Sequence, residues 1–169
     1  AISNISVFPA SWKKLVGDSQ VRPFHALSLR IEGNAEFTFE KGSVSVESNN
    51  ILFVPAYCNF HLNAAAEKLI VIHFNTNQPI ADSIQKLPPS NPSIYRQYFE
   101  EILDVYSKRE VGYEYACKGL LYKIIASIER DCSRKKETVS NEKIQSAIRY
   151  IHRNFTEEKF SVRELSEIC

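Results

Sequence analysis

Hydrophobic and polar residues alternate in short runs over the first half of the chain, which is the pattern of half-buried β-strands. The run 24–31 alternates and then meets the turn signal Glu32-Gly33-Asn34, and Lys41-Gly42 separates two later runs in the same way. Closely spaced strands and turns favour an antiparallel sandwich or small barrel over a parallel sheet. The predicted strands are 24–31, 35–40, 43–47, 51–54, 57–62 and 69–74.

Two stretches beside these strands lack the alternation. Residues 1–21 contain Pro9 in a mixed sequence and are predicted to form an irregular arm, which Trp12 anchors on the sheet. Residues 75–91 are predicted to connect the strands to the second half of the chain, with a brief helical turn around 81–85. The predicted sheet structure therefore begins near residue 22.

The second half of the chain carries apolar residues at helical spacing. Asn91 is a suitable N-cap with Pro92 in the first helical position, and a second helix is predicted near 113–131. Gly112 separates the two helices and indicates an antiparallel hairpin. The polar stretch 132–141 that follows is predicted to be a hinge between domains.

The last stretch of the chain predicts two further helices. Apolar residues from Ile144 to Phe155 lie on one helix face, and Ser161 with Glu164 has the capping-box spacing that starts a second helix. This stretch, IQSAIRYIHRNFTEEKFSVRELSEIC, resembles the start of the DNA-binding domain of AraC-type transcriptional regulators. The earlier segments RPFHALSLRIEGNAEFTF, ILFVPA and EKLIVIHF are similar to the ligand-sensing cupin domain that precedes it in that family.

The resemblance implies an α+β fold: an antiparallel cupin-like barrel (a double-stranded β-helix or jelly roll), an antiparallel helical hairpin and a two-helix fragment of a helix-turn-helix domain. The implied domains are a ligand-sensing barrel at 1–78, a connector and dimerisation hairpin at 79–132, a linker at 133–142 and the start of the DNA-binding domain at 143–169. The helix that reads base edges is the second of such a motif and is expected beyond residue 169. DNA is therefore expected to bind the full-length protein only, and a salt titration of the 1–169 chain is expected to show no specific DNA affinity.

The hairpin helices have apolar arcs that are broader than a single contact requires. In AraC-type regulators this region forms a homodimer interface, and dimers match paired DNA half-sites. The alternative is that the two helices only cover their own barrel. The residues predicted for a homodimer interface are Ile94, Tyr98, Ile102, Leu120, Leu121, Ile124, Ile125 and Ile128.

Composition and charge are those of an ordinary globular protein. The chain has 21 basic and 20 acidic residues, and the stretch 141–169 carries five of each sign, so the charge balance does not indicate a surface for binding a phosphate backbone. The four cysteines form no C-x-x-C pair, which favours reduced thiols in the cytoplasm over metal or redox clusters. No membrane span and no signal peptide are expected, because no apolar run is long enough and the N-terminus lacks the required charge pattern.

The sequence gives no positive evidence for catalysis. It contains no G-x-S-x-G motif and no glycine-rich phosphate loop. Cupin enzymes hold a metal through an H-x-H pair, a carboxylate and a later histidine, and no H-x-H occurs here. His25, His61 and His73 lie on three different predicted strands and could converge, so a metal-dependent cupin enzyme (a dioxygenase or isomerase) is the alternative function. We predict no catalytic residue, no metal site and no cofactor.

A small-molecule effector bound in the barrel is the leading hypothesis. Aromatic faces beside an arginine or histidine suit a sugar or a small carboxylate, because rings stack on apolar faces while polar tips orient hydroxyls or anions. Each candidate residue could instead fill the core, and the barrel could bind nothing and serve an interaction module. Many AraC-type relatives carry a histidine soon after the proline that corresponds to Pro55, whereas Tyr57 and Phe60 occupy that neighbourhood here. The predicted ligand-binding residues are Trp12, Arg22, His25, Arg30, Phe39, Tyr57, His61 and His73.

Overall fold

The computed structural model of the 169-residue chain describes residues 1–77, 80–87 and 89–154. These residues form a mixed α+β structure with two antiparallel sheets and two helices. The chain divides into two compact units, one of residues 1–128 and one that begins at Glu129. Both sheets and the first helix lie within the first unit.

Nine strands build the two sheets in the described part of the chain. They are β1 (Ile2–Trp12), β2 (Leu15–Asp18), β3 (His25–Glu32), β4 (Asn34–Phe39), β5 (Gly42–Glu47), β6 (Ile51–Val54), β7 (His61–Ala64), β8 (Glu67–Thr76) and β9 (Gln85–Leu87). Sheet A has the strand order β1-β8-β3-β6-β9, and sheet B has the order β2-β7-β4-β5. All neighbouring strands are antiparallel, as the alternation of the sequence predicted.

Three predictions of secondary structure in this region are wrong. Residues 1–21 contain β1 and β2 rather than an irregular arm, and β1 is an edge strand, where a proline such as Pro9 is tolerated. Strand β7 begins later than predicted because Tyr57 adopts a left-handed conformation with φ of 59° in the turn after Pro55. The helical turn predicted around 81–85 is replaced by an extended segment, in which β9 pairs with β6.

A hydrophobic core lies between the two sheets. Its buried residues on strands β3 to β7 occupy alternate positions where a strand contributes two, since successive side chains of a strand point to opposite faces. Sheet A contributes Ala26 from β3 and Leu52 from β6, and sheet B contributes Phe37 from β4 and Ala64 from β7. The remaining buried members of this core are Ala35, Val46, Val54, Phe60 and Ile84.

The opposite face of sheet A is also buried. Leu29, Ile51 and Ile72 are at most 1% exposed and point away from the space between the sheets. Helix α1 (Pro92–Lys108) contacts β1, β3 and β8 and covers this face with Phe99 and Ile102. Burial on both faces explains why β6 and β8 are nearly continuous apolar runs in the sequence.

Helix α1 begins where the sequence predicted. The Asn91 side chain accepts hydrogen bonds from the backbone N–H groups of Ser93 and Ile94, and Pro92 occupies the first turn. The helix ends at Lys108, after which Arg109 takes a left-handed conformation with φ of 53°.

The two helices form the predicted antiparallel hairpin. Helix α2 (Tyr113–Asn154) follows a short turn that contains Gly112, whose φ is +83°. The ring of Tyr106 contacts that of Tyr113, and one helical turn further the Cys117 thiol donates to the Ile102 carbonyl. As the contacts move away from the turn, the residue number falls on α1, from Tyr106 to Ile102, and rises on α2, from Tyr113 to Cys117. The two helices therefore pack antiparallel.

The predicted hinge at 132–141 is helical and lies inside α2, which runs without interruption for 42 residues. The stretch is rich in Lys, Arg and Glu, which are strong helix formers, and no Gly or Pro interrupts the chain from 120 to 154. The further helix predicted from Ser161 lies outside the described residues, and the division into domains at 143 stays a prediction. Among the described residues, no helix is both long and apolar enough to cross a membrane.

A candidate ligand site between the two sheets

Side chains from both sheets line a cavity of about 270 Å³ within the first unit. Most of its wall is apolar, and a few charged or polar groups interrupt it. Four of the eight predicted ligand-binding residues line it, namely Trp12, Arg22, Arg30 and His73. The other lining residues are Phe8, Ala10, Leu15, Ala26, Ser28, Phe37, Leu52, Val54, Phe60, Leu62, Glu67, Leu69 and Val71.

The strand register places the polar groups at two ends of the cavity. Alternate residues of β8 line it, from Glu67 to His73, with Leu69 and Val71 between them. Glu67 and His73 are six positions apart on the extended strand, a distance of about 20 Å between Cα atoms. Trp12 lies opposite Glu67 in the β1–β8 ladder, whereas Ala26 lies opposite His73 in the β3–β8 ladder.

An ion pair occupies the first end. The Nε atom of Arg30 donates to Oε2 of Glu67 at 2.5 Å, and both residues are 3% exposed. The guanidinium of Arg30 also lies 6.0 Å from the ring centroid of Phe37 on the facing sheet. Charges are buried in proteins when they are paired, so each member of this pair makes the burial of the other possible.

Two buried polar atoms at the same end have no hydrogen-bond partner among the described residues. They are Nε1 of Trp12, a donor, and Oε1 of Glu67, an acceptor. Buried polar atoms are nearly always hydrogen-bonded, and leaving one unpaired costs about 1–3 kcal/mol. A donor and an acceptor that lack partners at the wall of one cavity indicate a binding site for a polar group.

Arg22 and His73 form the second end. The guanidinium of Arg22 lies 5.4 Å from the ring centroid of Phe60 and 5.8 Å from that of Phe24. Burial lowers the pKa of Arg22, although the nearby Cys58 acts in the opposite direction. The His73 ring packs against Phe24 and Phe8 at centroid distances of 4.3 and 4.9 Å. Burial, and then the charge of Arg22, lower the pKa of His73 to about 4, so the ring is neutral at pH 7.

The lowered pKa of His73 makes the free energy of unfolding sensitive to acid. The folded ring takes up a proton only near pH 4, whereas an unperturbed histidine does so near 6.5. Between these values the unfolded chain binds the extra proton, so the free energy of unfolding falls as the pH drops from 6.5 towards 4. We expect His73→Gln to remove this component, which is on the order of 1–2 kcal/mol for a partly buried ring. Urea titrations of the wild type and of His73→Gln at pH 7 and pH 4.5 measure this component. An equal fall in the free energy of unfolding between the two pH values in both proteins would contradict the prediction.

His25 lies outside the cavity, on the opposite face of sheet A. Its Nδ1 atom accepts a hydrogen bond from the Ala56 N–H at 3.1 Å, and its ring stacks near Phe53 and Phe74. Burial lowers the pKa of His25, which agrees with a neutral ring that accepts at Nδ1. The residue therefore fixes the turn after β6 instead of facing a ligand.

The other three predicted ligand-binding residues also lie away from the cavity. His61 is exposed, and its Nδ1 atom lies 2.8 Å from Oδ1 of Asp18 on the neighbouring strand β2. Tyr57 is 69% exposed in the turn after Pro55. Phe39 is partly buried against the core between the sheets, and together with Tyr57 it lines a separate surface depression.

The histidines do not converge on one point. His25, His61 and His73 lie on different faces or sheets, with the partners given above. In the part of the chain that the structure describes, no group of three His, Cys, Asp or Glu side chains is arranged to hold a metal ion. The described cysteines Cys58, Cys117 and Cys132 are free thiols.

The residues predicted for a dimer interface divide into two groups. Four of them are buried within the chain itself, namely Ile102, Leu121, Ile124 and Ile128. These four side chains are packed inside the first unit and do not form part of its surface. The members that remain at least partly exposed are Ile94, Tyr98, Leu120 and Ile125.

Sequence reasoning missed Glu67, which completes the ion pair and carries one of the unpaired atoms. The predicted strand 69–74 begins at Leu69 and leaves Glu67 in the preceding connection. The residue nevertheless continues the alternation of Leu69, Val71 and His73 on the inner face of β8. Extending that period by one step would have placed Glu67 inside.

Comparisons with known proteins bear on the fold of this chain. No protein-family model matches it, and no curated protein matches its sequence. The AraC-like transcriptional activator CuxR superposes with a TM-score of 0.56 at 10% identity, over 97% of this chain and 66% of CuxR. An apo variant of ToxT from Vibrio cholerae superposes with a TM-score of 0.57 at 9% identity, over 98% of this chain and 70% of ToxT.

A third match is partial. A protein of unknown function from Pseudomonas syringae superposes with a TM-score of 0.42 at 14% identity, over 49% of this chain and 36% of its own length. The chain thus spans less than two thirds of the length of CuxR and of the Pseudomonas protein. The two matches along nearly the whole chain show that it shares its fold with CuxR and ToxT.

Proposed function

We propose that this chain is the ligand-sensing and dimerisation part of a cytoplasmic AraC-type transcription regulator. The observation that carries the proposal is the cavity between the sheets, where the buried Arg30–Glu67 pair leaves Oε1 of Glu67 and Nε1 of Trp12 without partners. The shared fold with CuxR and ToxT supports the same class. The two sheets then correspond to the cupin-like barrel expected from the sequence.

A small molecule in this cavity would act by changing the balance between arrangements of the protein. It can shift that balance only by the difference between its affinities for the two arrangements. Strand β1 contributes Phe8, Ala10 and Trp12 to the cavity, and α1 packs on the same strand. A ligand that moves β1 would therefore also displace α1 of the helical hairpin. DNA binding in this proposal is carried out by the full-length protein.

Trp12 provides a direct test of effector binding, since it is the only tryptophan of the chain and lines the cavity. D-glucose, L-rhamnose, 4-hydroxybenzoate and decanoate serve as probes in titrations of tryptophan emission and melting temperature. We expect at least one probe to change both, because a ligand at one hundred times its Kd stabilises the folded state by about 2.7 kcal/mol.

The matched control is Ser28→Phe, which places a ring in the middle of the cavity. It is expected to abolish both responses. Wild-type protein that responds to none of the probes, together with a Ser28→Phe variant that behaves identically, would overturn the proposed effector site.

The hairpin is expected to form the homodimer contact through its exposed members. The double variant Ile94→Glu/Ile125→Glu replaces two of these side chains and brings like charges together across a two-fold axis. We expect its dimer dissociation constant to rise by about 30-fold or more, as for the loss of central interface residues. Sedimentation equilibrium measures this constant.

Val111→Glu is the control for this prediction. Val111 is fully exposed at the hairpin tip and lies outside the predicted interface, so its replacement is expected to leave the dimer unchanged. A wild-type chain that stays monomeric up to high micromolar concentration would contradict the proposed dimer, as would a double variant that dimerises normally.

A further inference from the structure

The cavity between the sheets has a chemical polarity that restricts its ligand. Its middle is apolar, lined by Leu69 and Val71 of β8 and by Phe8 of β1. Its two polar ends are about 20 Å apart along β8, measured between Cα atoms. A compact polyol such as a monosaccharide would place hydroxyls against the apolar middle and could not reach both ends, so an elongated ligand fits better.

The charges at the two ends add up to one positive charge. Arg30 and Glu67 cancel each other at the first end. At the second end Arg22 carries its charge, since guanidinium groups stay protonated in proteins, and the buried His73 is neutral. Among the described residues no carboxylate is paired with Arg22, so the complementary charge is that of a monoanion bound there.

The first end requires a group that both donates and accepts. Oε1 of Glu67 lacks a donor and Nε1 of Trp12 lacks an acceptor, and these residues face each other across the β1–β8 ladder. A hydroxyl group carries one donor and two acceptor lone pairs, so a single hydroxyl can satisfy both atoms. A second carboxylate at this end would meet the carboxylate of Glu67 and be repelled.

The size of the cavity limits the bulk of the ligand. A water molecule takes up about 30 Å³, so the cavity of about 270 Å³ has the volume of about nine water molecules, which suits a slender chain rather than a bulky ligand. From these observations we infer that the effector is an elongated monocarboxylate with an apolar body and a hydroxyl group at the end opposite the carboxylate. Its carboxylate binds Arg22, and its hydroxyl bridges Glu67 and Trp12. The inference rests on the proposed function and specifies its ligand.

Isothermal titration calorimetry of the purified chain tests this ligand class with four probes. 10-Hydroxydecanoate carries both polar groups, decanoate lacks the hydroxyl, 1,10-decanediol lacks the carboxylate, and D-glucose represents neutral sugars. We expect 10-hydroxydecanoate to bind about tenfold or more tightly than the diol, which loses a charge-assisted contact. It is expected to bind about three- to tenfold more tightly than decanoate, which leaves the two atoms at the first end unpaired.

Two variants assign the contacts to the two ends. Arg22→Gln is expected to weaken 10-hydroxydecanoate by about tenfold or more and the diol by less than about twofold. Lys14→Gln removes an exposed positive charge that does not line the cavity and is the matched control, with no change for either probe. Trp12→Phe keeps an aromatic ring without the N–H group, so it is expected to weaken 10-hydroxydecanoate several-fold and leave decanoate unchanged.

Each contrary outcome has a distinct meaning. Equal affinities for 10-hydroxydecanoate and decanoate would overturn the hydroxyl contact, and tighter binding of D-glucose would overturn the whole ligand class, while both leave the proposed effector site standing. Absence of any binding by 10-hydroxydecanoate at millimolar concentration also overturns the inference. A separate result would contradict the proposed function: Trp12 emission and melting temperature that respond to none of the probes, with a Ser28→Phe variant that behaves like the wild type.

Discussion

The Glu67→Leu variant is expected to lose about 3–5 kcal/mol of its free energy of unfolding, because it leaves the buried guanidinium of Arg30 without its carboxylate. The loss comes from an uncompensated charge in a site that is 3% exposed. Urea denaturation at pH 7 measures it. A variant that unfolds within about 1 kcal/mol of the wild type would show that the pair is solvated and that the first end of the cavity is not the enclosed site described above.

The double variant Arg30→Met/Glu67→Leu separates the cost of a broken pair from the value of the intact one. Replacing a whole buried ion pair by apolar residues of similar size is often neutral or stabilising, so we expect stability close to that of the wild type. Effector binding should nevertheless be weakened, since the acceptor at Oε1 of Glu67 is gone. Such a result would identify the pair as a recognition element rather than a source of stability.

Lys68→Met is the matched control on the same strand. Lys68 points to the outside of β8 and pairs with Glu32 at 2.9 Å, with both side chains 61% exposed. Breaking an exposed pair of this kind costs about 1 kcal/mol at most. Both variants break an ion pair made by a residue of β8, but only the pair at position 67 is buried. The difference between their losses of unfolding free energy therefore measures the effect of burial.

The sequence was informative wherever one face of a strand meets the core and the other meets solvent. Alternation predicted β3, β4, β5 and β6 nearly to the residue, and the cap at Asn91 predicted the start of α1. Strand β1 was missed because Pro9 argues against a strand unless it is known to lie at a sheet edge. That edge position depends on the pairing of β1 with β8, about sixty residues away along the chain, which no local pattern reveals.

The candidate site could be predicted only in part for a related reason. His25 and Arg30 were placed in one site, although they are five residues apart on a single strand and must point to opposite faces. The alternation of side chains along a strand shows that only one of the two can face the cavity. It does not show which face of the strand points towards the cavity. Glu67 continues the alternation of β8, but its charge argues against an inward position, because an acidic residue is normally exposed unless it is paired. Its partner Arg30 comes from a different strand, 37 residues earlier in the chain.

Gly33 is the second position where a small change is expected to have a large effect. It links β3 of sheet A to β4 of sheet B with φ of +90°. A Cβ atom there would lie 2.1 Å from the carbonyl oxygen of Ala66 and 2.8 Å from the Cα atom of Glu67. Gly33→Ala would therefore have to displace the backbone that positions Glu67. We expect a loss of about 3 kcal/mol or more, the sum of the left-handed backbone cost and the steric clash.

Gly112→Ala separates these two costs. Gly112 has a similar φ of +83°, but a Cβ atom there would meet nothing within 4 Å. Its replacement is expected to cost only about 1–2 kcal/mol, the left-handed term alone, and to leave effector binding unchanged. Equal losses in the two variants, measured by urea denaturation, would show that the close approach of Gly33 to β8 carries no stability. A larger loss for Gly33→Ala, together with weaker effector binding, would show that this turn holds Glu67 at the cavity wall.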